Sequence, residues 1–387
     1  MSAARTVGAL LLVLVVGCAS AADKPAAPAR AKAAAKVEKA PPASSAAAAS
    51  ARPRNAPTEF SFRDESPEGT AAWPVMEPEE AGFDREKLKK VIQSAKASQS
   101  SSLLVLKDGK MVVEQYFGQP RRAIETMSVT KSVVSIAIGM LIADKKIASV
   151  DVPLSKYYPE FAGGKKAKIT LYHLLTQTSG LEHADGAGKM SKEKDRLAYA
   201  RARGVVSAPG TTFSYNNEAT QLLSGIVAKA AGKPIDEYLA ERLFKPLDIT
   251  EWKWERDGAG NVQAFYGLSL HARDLAKIGV LFANGGTFGE KEILPGSWVR
   301  QSTTPAKPGE SYGYLWWLRY DRDGRQVGFA ADGWLGQQLF VSPSLGVVIV
   351  RQHEAPDGFN ADGEYNKKVA HFSLRGEIEA AMTARAN

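Results

Sequence analysis

The stretch ETMSVTKSVVSIAIGMLIADKK, residues 125–146, sets one serine and one lysine at the head of a long apolar run. Ser128 and Lys131 are three apart, so on a helix they share a face. The plain reading is a polar helix start with a solvated lysine. The sharper reading is a nucleophile with its activating cation. A serine hydroxyl attacks poorly until a base removes its proton, and a buried or crowded lysine can be tuned to take part. The first turn of a helix also directs free N–H groups and positive potential toward Ser128. A chain this long holds about two Ser-x-x-Lys matches by chance, and there are two. The other, Ser191 to Lys194, sits in the charged run KMSKEKDR with no apolar face behind it, and only the first has a helix to stand on.

A second motif lies in PGTTFSYNNEATQLLSGIVAKAAGK, where Tyr215 and Asn217 are two apart in an extended approach to a helix. Side chains at that spacing point the same way. Beside an ammonium, a phenol gives up its proton more readily, so Tyr215 next to Lys131 is a candidate general base, with Asn217 orienting Lys131 and the substrate. The competing reading is a packed tyrosine followed by an Asn helix cap. A third stretch, DGWLGQQLFVSPSLGVVIV, sets Gly333 and Gly336 before a strongly β-prone run. Glycine lets a backbone approach a ligand closely, and acyl transfer needs two N–H donors for the developing oxyanion. The backbone N–H groups of Ser128 and Gln337 are the candidates. A simple Gly-bounded hairpin is the alternative.

Taken in this order, the three motifs resemble the serine β-lactamase and penicillin-recognising family, in particular its class C-like branch. The stretches ITLYHLLTQTSGLEH, YGLSLHARDLAKIGVLFANGG and SYGYLWWL are similar to family segments, and the resemblance covers roughly residues 75 to 355. It implies an acyl-enzyme on Ser128, with Lys131 and Tyr215 handling its proton and either of them as the resting base. That branch holds esterases, DD-carboxypeptidases, D-aminopeptidases and aminohexanoate-oligomer hydrolases. The sequence departs from the family in two places. Trp334-Leu335-Gly336 stands where β-lactamases carry Lys-Thr-Gly, which removes a cation and adds an apolar wall. The resemblance therefore implies a preference for esters or amides lacking the carboxylate that the lysine would bind. Gln177 stands where many relatives carry His. Trp334, Gly336, Gln177 and Trp317 are the expected substrate-pocket residues, although Trp316 and Trp317 also fit a core pair beside a strand.

Around these motifs the pattern is α+β. An amphipathic helix (83–97) and a hairpin turning at Asp108-Gly109 open the folded part, and strands return in YGYLWWLRY, RQVGFAAD, QQLFVSPS and LGVVIVRQH. Helical segments fill the middle (129–143, 218–231, 235–243, 271–284), and a last helix is expected over roughly 362–384. This order predicts one antiparallel sheet built from both ends of the chain, flanked by terminal helices. A mainly helical second lobe and a cleft between the two complete the expectation.

The 387 residues carry a formal charge of +8, but residues 1–58 hold +6 of it. The remainder is nearly neutral, with no basic face of the kind nucleic-acid binding needs. The apolar run Ala9–Val16 suits a signal-peptide core, being too short to span a bilayer. Cys18 ends it as the chain's single cysteine, so no disulfide can form within the chain. VVGC resembles the bacterial lipobox, and implies that Cys18 is lipidated and becomes the mature N-terminus; an ordinary cleaved signal is the alternative. Residues 19–58, rich in Ala, Pro, Lys and Ser, cannot bury enough surface to fold alone and read as a tether. The expected organisation is a signal segment (1–18), the tether (19–58) and one hydrolase domain (59–387). The protein would be exported and lipid-anchored in the cell envelope, facing the periplasm. The five histidines show no metal spacing, and no phosphate or dinucleotide loop occurs. No cofactor or metal is expected, and the partners are a small ester, amide or peptide and, through the lipid, a membrane. The runner-up activities are DD-carboxypeptidase and weak β-lactamase. A non-catalytic wall-binding lipoprotein is the reading from another class.

Overall fold

The computed structural model describes residues 60–64, 72–118, 121–183, 188–307, 309–354 and 374–383. The expected signal segment with Cys18, the tether, and much of the expected last helix lie outside the described residues. Helix α1 (Arg85–Ala97) starts on Asp84, whose carboxylate accepts from the Lys87 N–H. Strands β1 (Ser102–Lys107) and β2 (Lys110–Tyr116) form the expected hairpin. After the short β3 (Ile124–Glu125) come α2 (Val129–Ala143), α3 (Leu171–Leu175), α4 (Arg196–Arg201), α5 (Asn217–Ala231) and α6 (Ile235–Leu239). The chain continues through β4 (Trp252–Trp254), β5 (Leu268–Leu270), α7 (Ala272–Ala283), β6 (Thr287–Phe288), β7 (Lys291–Glu292) and α8 (Gly296–Ser302). Strands β8 (Trp317–Tyr320), β9 (Gln326–Gly333), β10 (Gln337–Ser342) and β11 (Val347–Gln352) lead to α9 (Arg375–Ala381).

The large sheet runs in the order β2-β1-β11-β10-β9-β8. β1 pairs antiparallel with β11, Ser102 opposite Gln352 and Lys107 opposite Val347, so the sheet's first and last strands in sequence lie side by side. Strands β1, β10 and β11 are buried along their whole length because both faces are covered. Leu103, Val105, Phe340, Val347 and Ile349 face a cluster with Leu88, Ile92 and Ile378 of the terminal helices. Leu104, Leu106, Leu339, Val341, Val348 and Val350 face the larger cluster with α2 and α7. The period-two alternation thus serves two cores rather than one core and water. A buried ion pair, Glu114 of β2 with Arg273 of α7 at 2.6 Å, joins sheet and helix.

Helix α2 packs against β9 and β10 on one side and against α5 and α6 on the other. It is buried from Val129 through Leu141. That placement explains its composition: a helix covered all round has no polar face to show. Its head lies where the sheet meets the helical lobe.

Candidate active site

Ser128 occupies the N-cap position of α2, where a serine would ordinarily turn its hydroxyl onto the helix's own N–H groups. Here it makes no such bond. The hydroxyl oxygen instead accepts from Lys131 Nζ at 2.9 Å, and the same nitrogen donates to the Phe265 carbonyl at 2.9 Å. The head of the helix is pinned from several directions. Thr126 Oγ1 donates to the Leu268 carbonyl at 2.9 Å, Leu268 N–H to Thr130 Oγ1 at 3.3 Å, and Ser132 Oγ to the Leu315 carbonyl at 2.6 Å. Met127, just ahead of the serine, has a left-handed backbone (φ 50°). Gln177, Leu315 and Leu335 share that conformation, which costs non-glycine residues free energy and gathers where the surroundings impose it. Two of the four flank the expected motifs directly.

Tyr215 comes from the segment ahead of α5. Its ring lies under the Lys131 ammonium, 4.8 Å from Nζ to the ring centre, and its hydroxyl is turned toward Ser128, which favours the phenolate. The three side chains proposed from distant sequence positions therefore meet. Their titration differs from expectation. Burial alone pushes Lys131 down to about 7, because a dry pocket penalises the charged amine. Burial pushes Tyr215 up to about 12, against the pull of the Ser128 hydroxyl and with a further push from Asp332. The expected lowering of the phenol by a neighbouring ammonium is absent: the amine is itself held near neutrality.

The structure redistributes the remaining candidates. Gln177, expected in the pocket, is fully buried. Its Oε1 accepts from Asn216 N–H at 2.5 Å, its Nε2 donates to Leu174 O and Thr220 Oγ1 at 3.0 Å each, and its carbonyl accepts from Ser214 N–H at 2.8 Å. It braces the chain on both sides of Tyr215. Asn216, not Asn217, caps α5, accepting from Ala219 N–H at 2.8 Å. Asn217 is the first residue of α5, and its buried Oδ1 has no hydrogen-bond partner among the described residues. The anchor on Lys131 is the Phe265 carbonyl instead.

Gly333 is the residue of the third motif that meets the nucleophile's segment: a Cβ there would lie 2.5 Å from the Thr126 carbonyl oxygen and 3.1 Å from Met127 Cβ. Only glycine allows that approach. The Gln337 N–H, expected at the oxyanion, closes the Trp334–Gly336 turn by donating to the Trp334 carbonyl, and the Gln337 side chain is buried against His353. A short turn takes back the donor that an extended strand edge would have left open. Gly336 has φ 74° and its carbonyl accepts from buried Arg351 at 2.8 Å. Trp334 is 41% exposed, whereas Trp317 is partly buried and stacked on Tyr215 at 5.7 Å and 24°. Trp316 belongs to the core, 4.5 Å from Phe282. Among the described residues no group of three or more His, Cys, Asp or Glu could hold a metal ion.

Neither the Phe265 carbonyl nor the contact of Gly333 has a sequence signature. The brace at Gln177 does: it is a glutamine two residues after LL, in a TxTSG turn, but the direction of its bonds is visible only in three dimensions.

A sequence model of the family described as Beta-lactamase matches residues 88–370. The 6-aminohexanoate-dimer hydrolase of Paenarthrobacter ureafaciens is 26% identical over 298 residues, covering 67% of this chain and 73% of that protein. Esterase EstB of Burkholderia gladioli is 30% identical over 160 residues, covering 35% of this chain and 40% of the esterase, less than half its length. Among solved structures, a penicillin-binding protein from Bacillus halodurans is 20% identical with a TM-score of 0.59, covering 76% of this chain and 98% of its own. That likeness carries the fold, and the α+β architecture expected from the sequence is the observed one. With most of the folded region inside the match and the serine, lysine and tyrosine brought together, the chain belongs to the Beta-lactamase family and is a serine hydrolase.

Proposed function

We propose that the protein cleaves a carboxylic ester or amide through an acyl-enzyme on Ser128, with Lys131 as the resting base. The observation that carries this reading is the dry amine of Lys131 set 2.9 Å from Ser128 Oγ. With its pKa down to about 7, a large share of Lys131 is neutral at neutral pH. A neutral amine offers a lone pair, so the hydrogen bond can run from the serine hydroxyl to Nζ while the Phe265 carbonyl takes an N–H. As Oγ bonds to the carbonyl carbon, its proton passes to Nζ. Tyr215, protonated through the physiological range, hands its own proton to the leaving oxygen or nitrogen as that bond breaks, and recovers one from Lys131. Water then adds to the acyl carbon by the reverse relay and frees the acid. The Ser128 N–H is one donor to the oxyanion.

Substrates without a carboxylate beside the scissile bond fit best, since an exposed indole at Trp334 stands where a cation would be needed. The chemistry is tested by labelling with a fluorescent fluorophosphonate and a fluorescent penicillin, wild type against Ser128→Ala. Labelling of the wild type alone by the fluorophosphonate is expected. Strong penicillin labelling would move the assignment to cell-wall peptides, and no labelling by either would leave a non-catalytic wall-binding protein.

For location, we propose that Cys18 carries the lipid and that residues 19–58 hold the enzyme off the membrane, in the periplasm. Several acyl chains on one residue give firm anchoring where one gives only marginal binding. Incorporation of labelled palmitate that is lost in Cys18→Ser is the expected result.

A further inference from the structure

Trp317 reads from sequence as a wall of the substrate pocket, and its surroundings argue for a different task. Its indole stacks on Tyr215 with the planes 24° apart and the centres 5.7 Å apart. The Lys131 ammonium lies over the rings of Tyr215 and Phe265, 4.8 and 5.6 Å from their centres. Among the described residues it lies over no other ring. The indole is in turn held edge-on by Tyr312 at 4.7 Å and 81°, with a backbone bridge between the two residues. Phe213, 37% exposed, packs on Tyr312 at 5.2 Å and on Trp317 at 6.1 Å. One face of the indole is thus taken up by Tyr215.

We propose that Trp317 is a positioning residue for the Lys131–Tyr215 pair: stacked on the phenol, it fixes the ring beside the amine and keeps water from both. The inference rests on the acyl-enzyme reading above. A phenol free to swing would lose its reach to the Ser128 hydroxyl. Water admitted in place of the indole would solvate the ammonium form of Lys131 and so restore a higher proton affinity. The groups facing Lys131 are few. They are Ser128 on its own helix, Tyr215 ahead of α5 and the Phe265 carbonyl; behind the ring lie Tyr312 and Asp332, the latter ion-paired with Arg319. None of these is altered by changing Trp317, so a shift in the pH profile reports on solvation and ring position.

The experiment measures kcat/KM against pH for short and long p-nitrophenyl acyl esters, in wild type, Trp317→Leu and Trp317→Phe. In Trp317→Leu the acid limb is expected to move up by about one pH unit, a roughly tenfold loss at pH values below the limb. The preference between short and long acyl chains should stay unchanged. Trp317→Phe, which keeps a stacked ring, should restore the wild-type limb. Superimposed profiles of wild type and Trp317→Leu would overturn the proposal, as would an altered chain-length preference with an unmoved limb, which is the mark of a pocket wall. If Trp317→Leu does not fold, Phe213→Leu removes only the outer support of the indole from an exposed position. A smaller upward shift then supports the proposal, and an unmoved limb overturns it. A wild type that fluorophosphonate does not label at Ser128, or that lacks an acid limb near pH 7, would instead overturn the acyl-enzyme reading and this inference with it.

Discussion

The head of α2 and the turn from Gly333 to Gln337 face the same reaction but are built in opposite ways. The first is a helix buried along nearly its whole length, with Lys131 sealed in beside Ser128. The second is a short turn with two successive left-handed residues, Leu335 and Gly336, and a half-exposed indole. A proton must move at a fixed place in a fixed medium, and a dry helix provides both. Discrimination among acyl groups needs a surface that can vary without disturbing that place, and an edge turn provides it. The contrast suggests that replacements on the helix change whether the enzyme works, while replacements in the turn change what it works on.

Lys131→Met tests the helix side most severely. A roughly 10²- to 10⁴-fold fall in kcat/KM is expected from the loss of the base, read with an activated ester at pH 8. The same residue fixes the pH dependence. The neutral amine is the active form, so wild-type activity should rise with pH through about 7, while Tyr215, held up to about 12, stays protonated throughout. Stability should rise with pH as activity does, but over a higher interval. The folded lysine releases its proton at about 7, against 10.5 for the unconstrained group, so the unfolded chain binds the proton more readily in that interval. Native stability is therefore lost as pH falls from 10.5 toward 7. Lys131→Met escapes this penalty. Its melting temperature should exceed that of wild type at pH 7, with the gap closing as pH approaches 10; an equal gap at both pH values would contradict the dry amine.

Gly333→Ala attacks the junction of the two regions. Its Cβ would sit 2.5 Å from the Thr126 carbonyl oxygen, so strand and nucleophile segment must part. A displacement on the order of 1 Å can cost about 10²-fold in rate, here with the secondary structure intact by circular dichroism. Gln177→Leu removes the brace on Tyr215 and leaves the buried Asn216 N–H without its acceptor. About 1–3 kcal/mol of stability should go with it, measured by urea unfolding, together with a lower kcat. Trp334→Lys is the mildest change. It should leave simple esters within a few-fold of wild type and raise turnover of esters that carry a carboxylate beside the acyl carbon. A collapse of all activity would show that the turn belongs to the machinery rather than to selection.

The same contrast explains what could be read from the sequence. Helix α2 was legible to the residue, Val129–Ala143, because a uniformly apolar run and a Ser-x-x-Lys head both record its burial. The hairpin at Asp108-Gly109 and the four closing strands were legible because turn residues and β-prone runs are local signals. The partners of the site were less so. A main-chain carbonyl such as that of Phe265 carries no residue identity, and the polarity of Gln177 says only that it bonds, not to what. The Gln337 N–H reads as an open strand edge until the conformation of Leu335 turns it inward. The titration of Tyr215 could not be foreseen from its neighbours alone, since burial is the largest influence on it.

The pairing of β1 with β11 has a consequence for how the enzyme comes into being. Ser102 and Gln352 are neighbours in the sheet although 250 positions separate them, so the central strands cannot close until nearly the last part of the polypeptide has been synthesised. A chain whose key contacts lie this far apart folds slowly. Completion of the sheet that backs the helix of the nucleophile therefore waits on the last of its strands to be made.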